Sequence, residues 1–495
     1  MKLDFTQPPP QPKTLEEAQE IINALWVFCR ELSERVESQQ KQIEAQQKEI
    51  NELKEKLNTN SKNSSKPPSS DKFKQKPTPK PNKKNKRKQG GQPGHKGVTR
   101  ALLPENEVDY IEKCHPKKRC DCGSHIKLTG NYRPHQVHEL PRVKAIVTEY
   151  QLHSGACSGC GKLHQAKLPN GIPVGMLGPI AIAKIGTLTG DYKMSKRNII
   201  SLFGDFYGLY ISTGTVSNAE KIVSAALEIP VEEAKIFIPQ QVAVHADETR
   251  HTEKKQKMWS WVFIASLVAA FIIRPSRGAR VAKDFLGETF KGILSSDRYS
   301  GYAWLATVFR QLCWAHLLRD FKKISERSGT SGRVGEELLM HTNRMFHYWH
   351  KVKDGVLSRQ RFKKLMKPIR TRVEVLLLEG KRCRHKNTAG TCKHILKLKE
   401  ALWTFIEKEG VEPTNNLAEQ ILRRLVIWRK TSFSTQSAAG TLYLERIMTT
   451  VATCKLQKRN VLDFVTDAIR AHLSGTLAPS LLPNSINDIG LLKAA

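Results

Sequence analysis

The 495-residue sequence predicts a multidomain α+β protein. A heptad repeat opens the chain, paired cysteine motifs follow it, and strand-like and helix-like segments then alternate. Such alternation indicates an α/β core, and the chain is longer than one ordinary domain. We therefore expect an N-terminal coiled coil, a small cysteine module, a helical region, and an α/β core that carries a helical insertion.

The charge of the chain favours a polyanionic partner. Lys and Arg number 81 against 47 Asp and Glu, which gives a formal net charge of +34 at pH 7. This excess is far beyond what solubility requires, although a generally basic surface is an alternative. No secretory signal opens the chain, and the longest apolar stretch, residues 258–273, is short for a membrane span. Ten cysteines form no dense disulfide framework. We expect a cytoplasmic protein without a membrane partner.

Residues 1–58 are expected to form a coiled-coil zipper. Apolar residues recur seven apart over about six heptads, with a companion seam between them, and this pattern predicts a dimerising helix. A lone helix that packs on its own protein is the alternative. The first seam contains Leu15, Ile22, Cys29, Val36, Ile43, Ile50 and Leu57, and the second includes Ala18, Leu25 and Leu32.

Residues 59–105 are expected to form a basic disordered linker. Ser, Asn, Pro, Gly and Lys dominate and apolar residues nearly vanish, so the segment cannot bury enough surface to fold alone. Its cations are expected to lie on the phosphates of a nucleic acid, and a solvated spacer is the alternative. The candidate contacts are Lys83, Lys84, Lys86, Arg87 and Lys88.

Residues 106–168 are expected to form a zinc-ribbon-like module. Cys157 and Cys160 make a CxxC knuckle that is followed by a glycine, as is typical of zinc sites. Cys120 and Cys122, the predicted other half, are separated by only one residue. Reduced cysteines without a metal are the alternative. Other ligands that would complete the site are Cys114, His115 and His164.

Residues 169–232 are expected to be helical. The segment SKRNIISLFGDFYG predicts a helix and its turn, and Ser212 has the chemistry of the N-cap of the next helix. Two short helices joined by a turn that contains Gly208 suit a DNA-binding helix-turn-helix. An ordinary helical hairpin fits the pattern equally well.

Residues 233–450 are expected to form the α/β core. The pattern predicts a strand that ends in Asp247, two further strands through Ile273, a helix, and a fourth strand that ends in Asp297. Ligand-binding residues commonly collect at the ends of adjacent strands in such cores. For either aspartate taken alone, a turn or a helix cap is the alternative.

A basic helical insertion is expected at about residues 332–410, and a helical tail at 451–495. Between them a helix is expected to begin near Asn415, with Glu419 one turn in and able to point into a cleft. A salt bridge within that helix is the alternative role for Glu419. Glu412 and Glu445 are the other candidates for the third acidic residue of the site.

Asp247, Asp297 and Glu419, if folded around one point, would hold two magnesium ions. Such a pair activates a nucleophilic oxygen and neutralises a leaving oxygen during phosphodiester chemistry. Cations near these acids are candidate contacts to a DNA backbone. They are Arg319, Arg423, Arg424, Arg429 and Lys430.

The chain resembles transposases of the insertion sequence 66 family over most of its length. The resemblance rests on NSKNSSKPPSSD and GGQPGHKG in the linker, the cysteine motifs, and then HADET, SRG, SDRYSGY, CWAH, TNNLAEQILR and WRK in that order. It implies a ribonuclease-H-like core and an Asp-Asp-Glu site for magnesium or manganese. By motif position the site is Asp247, Asp297 and Glu419.

The resemblance also implies a reaction and partners. Strand cleavage at the ends of a bacterial mobile element would leave a 3′-hydroxyl that attacks target DNA. The partners would be double-stranded DNA, a second copy of the chain and small accessory proteins of the same element, in a nucleoid-associated cytoplasmic setting. A domesticated DNA-binding regulator without catalysis and a ribonuclease-H-like nuclease that does not join strands are the alternatives.

Overall fold

A computed structural model describes residues 11–60, 63–64 and 101–483. The predicted contacts Lys83, Lys84, Lys86, Arg87 and Lys88, and most of the predicted linker, lie outside the described residues. The chain divides into two compact units. Of the described residues, the first unit comprises those within Met1–Phe73, Asn170–Lys193 and Ala219–Ala495, and the second comprises those within Lys74–Pro169 and Met194–Asn218.

The predicted N-terminal helix is confirmed as a single helix, α1 (Leu15–Leu57). The apolar side chains of its two seams are exposed along most of its length. Near its C-terminal end, Glu55 Oε1 lies 2.9 Å from Arg327 Nε and 3.1 Å from His385 Nε2. One end of α1 is therefore anchored while its apolar stripe stays uncovered. Within the described residues, the helices are too short or too polar to cross a membrane.

The cysteine module contains a two-stranded antiparallel hairpin, β1 (Ser154–Ala156) and β2 (Leu163–Gln165). In the helical region that follows, Gly208 ends its helix with a φ of 64°, in the predicted turn, and the Ser195 hydroxyl accepts the Asn198 N–H at the start of the same helix. Ser212 Oγ likewise accepts the Thr215 N–H at 3.1 Å. The helices are α2 (Pro179–Gly190), α3 (Lys196–Tyr207), α4 (Thr213–Ala226) and α5 (Glu228–Phe237).

A five-stranded mixed sheet forms the centre of the first unit, in the order β5-β4-β3-β6-β7. Three antiparallel strands make one half, and two short strands parallel to β3 make the other. The four predicted strands and the intervening helix are present. They are β3 (Ala243–Glu253), β4 (Gln256–Ala265), β5 (Val268–Arg274), α6 (Ala279–Leu286) and β6 (Ile293–Ser296), and a fifth strand, β7 (Arg310–Leu312), completes the sheet.

The prediction that the first strand ends in Asp247 is wrong, because β3 continues to Glu253. The polar segment after Asp247 has little intrinsic strand preference. It is held in the sheet by pairing with β4, with Asp247 opposite Val262 and Glu253 opposite Gln256. Such cross-strand pairing overrides local propensity. Asp297 does follow directly after β6, as predicted.

The predicted insertion is helical, and its first helix begins at Gly329, close to the predicted start at about residue 332. Its helices pack around large buried side chains, among them Trp314, Phe321 and Phe405. The helices from this region onward are α7 (Trp314–Ser325), α8 (Gly329–Lys353), α9 (Arg359–Lys381), α10 (Lys386–Lys397), α11 (Thr404–Glu407), α12 (Asn416–Ser432), α13 (Ala438–Leu456) and α14 (Val461–Ser474).

Helix α13 covers the open edge of the sheet. Its polar side chains at Glu445, Thr449 and Thr453 are four residues apart and lie on one face of the helix. They accept the N–H groups of Ile273, Phe271 and Ala269 on β5, respectively, at 2.5, 2.9 and 3.1 Å. An unpaired strand edge invites aggregation, and this row of acceptors closes it.

Replacing Thr449 with valine is expected to destabilise the protein by about 1–3 kcal/mol, because the buried Phe271 N–H loses its acceptor. Thr450→Val is the matched control, since the Thr450 hydroxyl is equally buried but donates to the Arg446 carbonyl of its own helix. Chemical denaturation of both variants measures the difference. Equal losses in the two variants would contradict the capping role of Thr449.

Candidate active site

Asp247 lies on β3, and Asp297 directly follows β6, the strand that pairs with β3. β3 and β6 are parallel, and His245 is opposite Ser295 in their register. Each aspartate is two residues beyond these partners, so both follow the same end of the strand pair. The Glu248 N–H donates to Asp247 Oδ1 at 2.9 Å, and the Tyr299 N–H donates to Asp297 Oδ1 at 2.8 Å. Each carboxylate is therefore oriented by the local backbone.

Glu419 lies in the first turn of α12, as the sequence predicts. Its Oε1 atom lies 3.4 Å from His316 Nδ1 and 3.5 Å from Arg319 Nη2. At these separations the atom has charged or polar neighbours but no hydrogen-bond partner, although it is buried. Burial and the charge of Arg319 lower the pKa of His316, so its ring is neutral at pH 7. Glu419 thus presents an oxygen that lacks a hydrogen bond.

The three acids interact electrostatically. The pKa of Asp247 is raised well above its usual value, first by desolvation and then by the negative charges of Glu248, Asp297 and Glu419. Within the described part of the chain, no ion pair neutralises Asp247 or Asp297. Neighbouring carboxylates that no ion pair neutralises, such as these two, have a high affinity for protons or metal ions.

Asn415 connects β3, which carries Asp247, to the start of α12, which carries Glu419, and it was not among the predicted site residues. Its Nδ2 donates to the Ala246 carbonyl on β3 at 2.8 Å, and its Oδ1 contacts His245 Nδ1 at 3.0 Å. Its backbone N–H contacts Cys313 Sγ at 3.1 Å. The residue is almost fully buried. The Asn-Asn pair at the start of the helix was the available signal in the sequence, although an asparagine there is usually an ordinary cap.

Glu248 is a fourth acid at this place that the sequence analysis missed. Desolvation and the charge of Asp297 raise its pKa, and this increase persists despite the hydrogen bonds from Tyr302 and Arg277. Because both of its oxygens accept these hydrogen bonds, Glu248 has a different environment from Asp247. No local signal in the sequence separates two adjacent acids in this way.

Glu412 and Glu445, the alternatives to Glu419 as the third acidic residue, have other partners. Glu412 lies 3.4 Å from Lys353 Nζ and accepts the Trp349 indole N–H at 3.3 Å. Glu445 accepts the Ile273 N–H at the sheet edge and pairs with Arg274 at 2.8 Å. Neither contributes to the raised pKa of Asp247.

The predicted cations have different environments. Arg319 is beside Glu419, as described above. Arg424 lies 3.4 Å from the buried Asp191, and Arg429 donates to the Thr249 hydroxyl at 3.4 Å. Desolvation and the charge of Arg250 lower the pKa of Arg429. Arg423 and Lys430 are exposed on α12.

The four predicted zinc ligands are exposed and lie in two turns. Cys157 accepts the Gly161 N–H through its carbonyl, and Gly161 has a φ of 71°, which glycine adopts without strain. Hydrogen bonds from the backbone of Cys160 lower the pKa of Cys157, and those from Ser124 lower the pKa of Cys122. A lowered pKa favours the thiolate, the form that binds metals.

The two cysteine turns do not form one four-sulfur group in the structure. Among the described residues, the potential ligand atoms that gather within 4.8 Å of one another are those of Cys313, His316 and Glu419. Burial raises the pKa of the Cys313 thiol to about 11, so this sulfur is protonated at neutral pH. A neutral thiol that contacts a backbone N–H is suited to a structural role.

Residues 175–442, more than half of the chain, match the Transposase IS66 family. The chain belongs to this family. Residues 7–101 also match a family of unknown function. Two relatives come from Sinorhizobium fredii (strain NBRC 101917 / NGR234), and both are called uncharacterized proteins, y4qI and y4hP.

The similarity to these relatives is moderate. The first is 26% identical over 266 residues, which are 47% of this chain and 48% of the relative. The second is 25% identical over 395 residues, which are 71% of this chain and 69% of the relative. The match thus spans about half the length of the first relative. The description of the family names a transposase.

Proposed function

We propose that the protein is a DNA transposase that cleaves strands at the ends of a bacterial insertion sequence and joins them to target DNA. Asp247, Asp297 and Glu419 are its metal-binding residues in this proposal. The observation that carries it is the electrostatic coupling of the three acids at one end of the β3–β6 strand pair. The mixed sheet, with Asp247 on its central strand, supports a ribonuclease-H-like core.

The residues present fit magnesium or manganese. Both ions prefer oxygen ligands, and the cluster offers carboxylates, one of which has a buried oxygen without a hydrogen bond. When bound, the ions would activate the attacking oxygen and neutralise the leaving oxygen. Asp247 must be ionised to act as a ligand, so binding competes with protonation of this group. Arg319 adds a cation beside Glu419 that suits a phosphate.

A cleavage and strand-transfer assay on the element's own ends tests the proposal. The wild-type protein is expected to act only with a divalent ion, and Asp247→Ala and Glu419→Ala are expected to be inactive. Glu412→Ala is the control, because Glu412 is paired with Lys353 and does not contribute to the raised pKa of Asp247. Equal activity of Asp247→Ala and the wild type would overturn the proposal. Cleavage without joining would favour the nuclease, and end binding alone would favour the regulator.

For the cysteine module we propose a zinc site on Cys120, Cys122, Cys157 and Cys160. The thiolate-favouring turns support it, and zinc would bring the two turns together as it commonly does in small modules. Cys157→Ser is expected to lose bound zinc, as measured by elemental mass spectrometry of the full chain. Cys29→Ser, an exposed cysteine of α1, is the control. Absence of zinc from the wild-type protein refutes the site.

For α1 we propose a zipper between two copies of the chain. Its exposed apolar seams support this, because a soluble protein seldom leaves such a stripe uncovered. Leu32→Lys on a seam is expected to convert the dimer to a monomer in sedimentation of the full chain. Ser38→Lys, on an exposed position outside both seams, should leave the dimer intact. A monomeric wild-type protein at micromolar concentration excludes the zipper.

We also propose that double-stranded DNA lies on the predicted cations and on α3 and α4 as a helix-turn-helix. The formal net charge of +34 supports this. Alanine substitution of Arg423, which is exposed on α12, is expected to reduce the salt dependence of DNA binding by about one phosphate contact. An unchanged salt slope would show that Arg423 does not contact the DNA.

The same proposal includes small accessory proteins as partners and a nucleoid-associated cytoplasmic location. Co-purification from cells tests both.

A further inference from the structure

Glu248 is buried next to Asp247, and both of its oxygens are occupied. Its Oε1 atom accepts hydrogen bonds from Arg277 Nε at 3.0 Å and from Arg277 Nη2 at 2.7 Å. Its Oε2 atom accepts the Tyr302 hydroxyl at 2.5 Å. Only 1% of its side chain is exposed. With its oxygens satisfied in this way, Glu248 serves as an anchor for Arg277.

Arg277 is held on its other sides by aromatic rings. Its guanidinium lies 3.8 Å from the ring centre of Tyr299 and 4.9 Å from that of Trp259. Its carbonyl accepts the Tyr299 hydroxyl at 2.9 Å. A planar guanidinium that is hydrogen-bonded at its edge and lies over aromatic rings has a restricted orientation.

These contacts join the strand that carries Asp247 to the loop that carries Asp297. The Glu248 N–H donates to Asp247 Oδ1, and the Tyr299 N–H donates to Asp297 Oδ1. Arg277 contacts the side chains of both Glu248 and Tyr299, so it is common to the two connections. A movement of the Arg277 side chain would therefore remove its contacts with the residues that orient Asp247 and Asp297 together.

We propose that Arg277, anchored by Glu248, is a positioning residue that holds Asp247 and Asp297 in the arrangement needed to bind divalent ions. The inference rests on the proposed function, since it takes these aspartates as metal ligands. A purely structural ion pair would affect stability alone. A positioning residue also changes metal affinity, and partners that orient metal ligands typically contribute about 10–100-fold to it.

The test is calorimetric Mn²⁺ binding to the full-length protein, with thermal unfolding as a measure of folding. Arg277→Lys keeps the charge but loses the two-pronged contact and the stacking, and we expect it to bind Mn²⁺ about 10–100-fold more weakly. Arg274→Lys is the matched control, because Arg274 also pairs with a buried glutamate, Glu445, but at the sheet edge. It should bind Mn²⁺ as the wild type does.

Tyr302→Phe provides a second variant that retains every charge and removes only the hydroxyl that binds Glu248. We expect a weaker but measurable loss of Mn²⁺ affinity from it, and it decides the question if Arg277→Lys does not fold. Wild-type affinity in a folded Arg277→Lys protein, or in Tyr302→Phe if the first does not fold, would overturn the inference.

Asp247→Asn in the same assay separates this inference from the proposed function. If Asp247→Asn loses Mn²⁺ binding while Arg277→Lys retains it, only the positioning role of Arg277 fails. If Asp247→Asn binds Mn²⁺ as tightly as the wild type, the proposed metal site itself fails.

Discussion

Replacing Asp247 with asparagine is expected to stabilise the metal-free protein and to reduce strand cleavage by about 10³-fold or more, since the metal contributes several kcal/mol to the transition state. The stabilisation follows from the surroundings of Asp247, where desolvation and three neighbouring acids disfavour its charge. Asparagine keeps the shape and removes that charge. Thermal unfolding in a chelator and the cleavage assay measure the two effects.

The stabilisation should depend on pH with a defined sign. Because the folded state raises the pKa of Asp247 above 3.8, its proton is bound more tightly in the folded state than in the unfolded state. The resulting stabilisation is present below the unfolded pKa and is lost as the pH rises through the folded pKa. Asp247→Asn has no ionisable group at this position and so does not lose stability in this way. The difference between its unfolding temperature and that of the wild type should therefore grow as the pH rises above about 4.

Asp320→Asn is the control for the Asp247 variant, because Asp320 is an acid with an ion-pair partner, Arg298. Removing its charge should not stabilise the protein. Added Mn²⁺ should raise the unfolding temperature of the wild type and of Asp320→Asn, but not that of Asp247→Asn. Identical unfolding of wild type and Asp247→Asn at every pH in the chelator contradicts the charge repulsion that we infer.

The sequence was sufficient for most secondary structure elements of the core. The stretch from Met258 to Ile273 is rich in β-branched and aromatic residues, and it forms the two strands expected from them. Asp297 follows a short apolar strand with a clear end. Asp247 has no such boundary, because the polar residues after it are held in β3 only by their partners on β4.

The position of Glu419, and those of the residues that orient the acids, depend on contacts between residues far apart in the sequence. About 120 residues separate Glu419 from Asp297, so spacing in the sequence could not place it beside the others. The hydrogen bonds of Asn415 to β3 fix that helix. Arg277 and Tyr302 likewise meet Glu248 only in the folded chain. Periodicity reports which face of an element is buried, and it contains no information on which distant side chain lies opposite.

Asn415→Ala is expected to have the second large effect, on stability and on metal binding together. The substitution leaves the Ala246 carbonyl and the His245 ring without their buried partner, which costs about 2–6 kcal/mol for two such groups. It also frees the start of α12, where the Asn415 carbonyl accepts the Glu419 N–H at 3.2 Å. Glu419 then loses its fixed distance from Asp247.

Asn460→Ala is a matched control, because Asn460 also precedes a helix but is exposed and caps α14 in the ordinary way. Its loss should cost about 1 kcal/mol and leave Mn²⁺ affinity unchanged. Denaturation and Mn²⁺ calorimetry on both variants separate the two roles. If Asn415→Ala is less stable but binds Mn²⁺ as the wild type does, the helix start can move without displacing Glu419. The assignment of Glu419 as a metal ligand would then lose its structural basis.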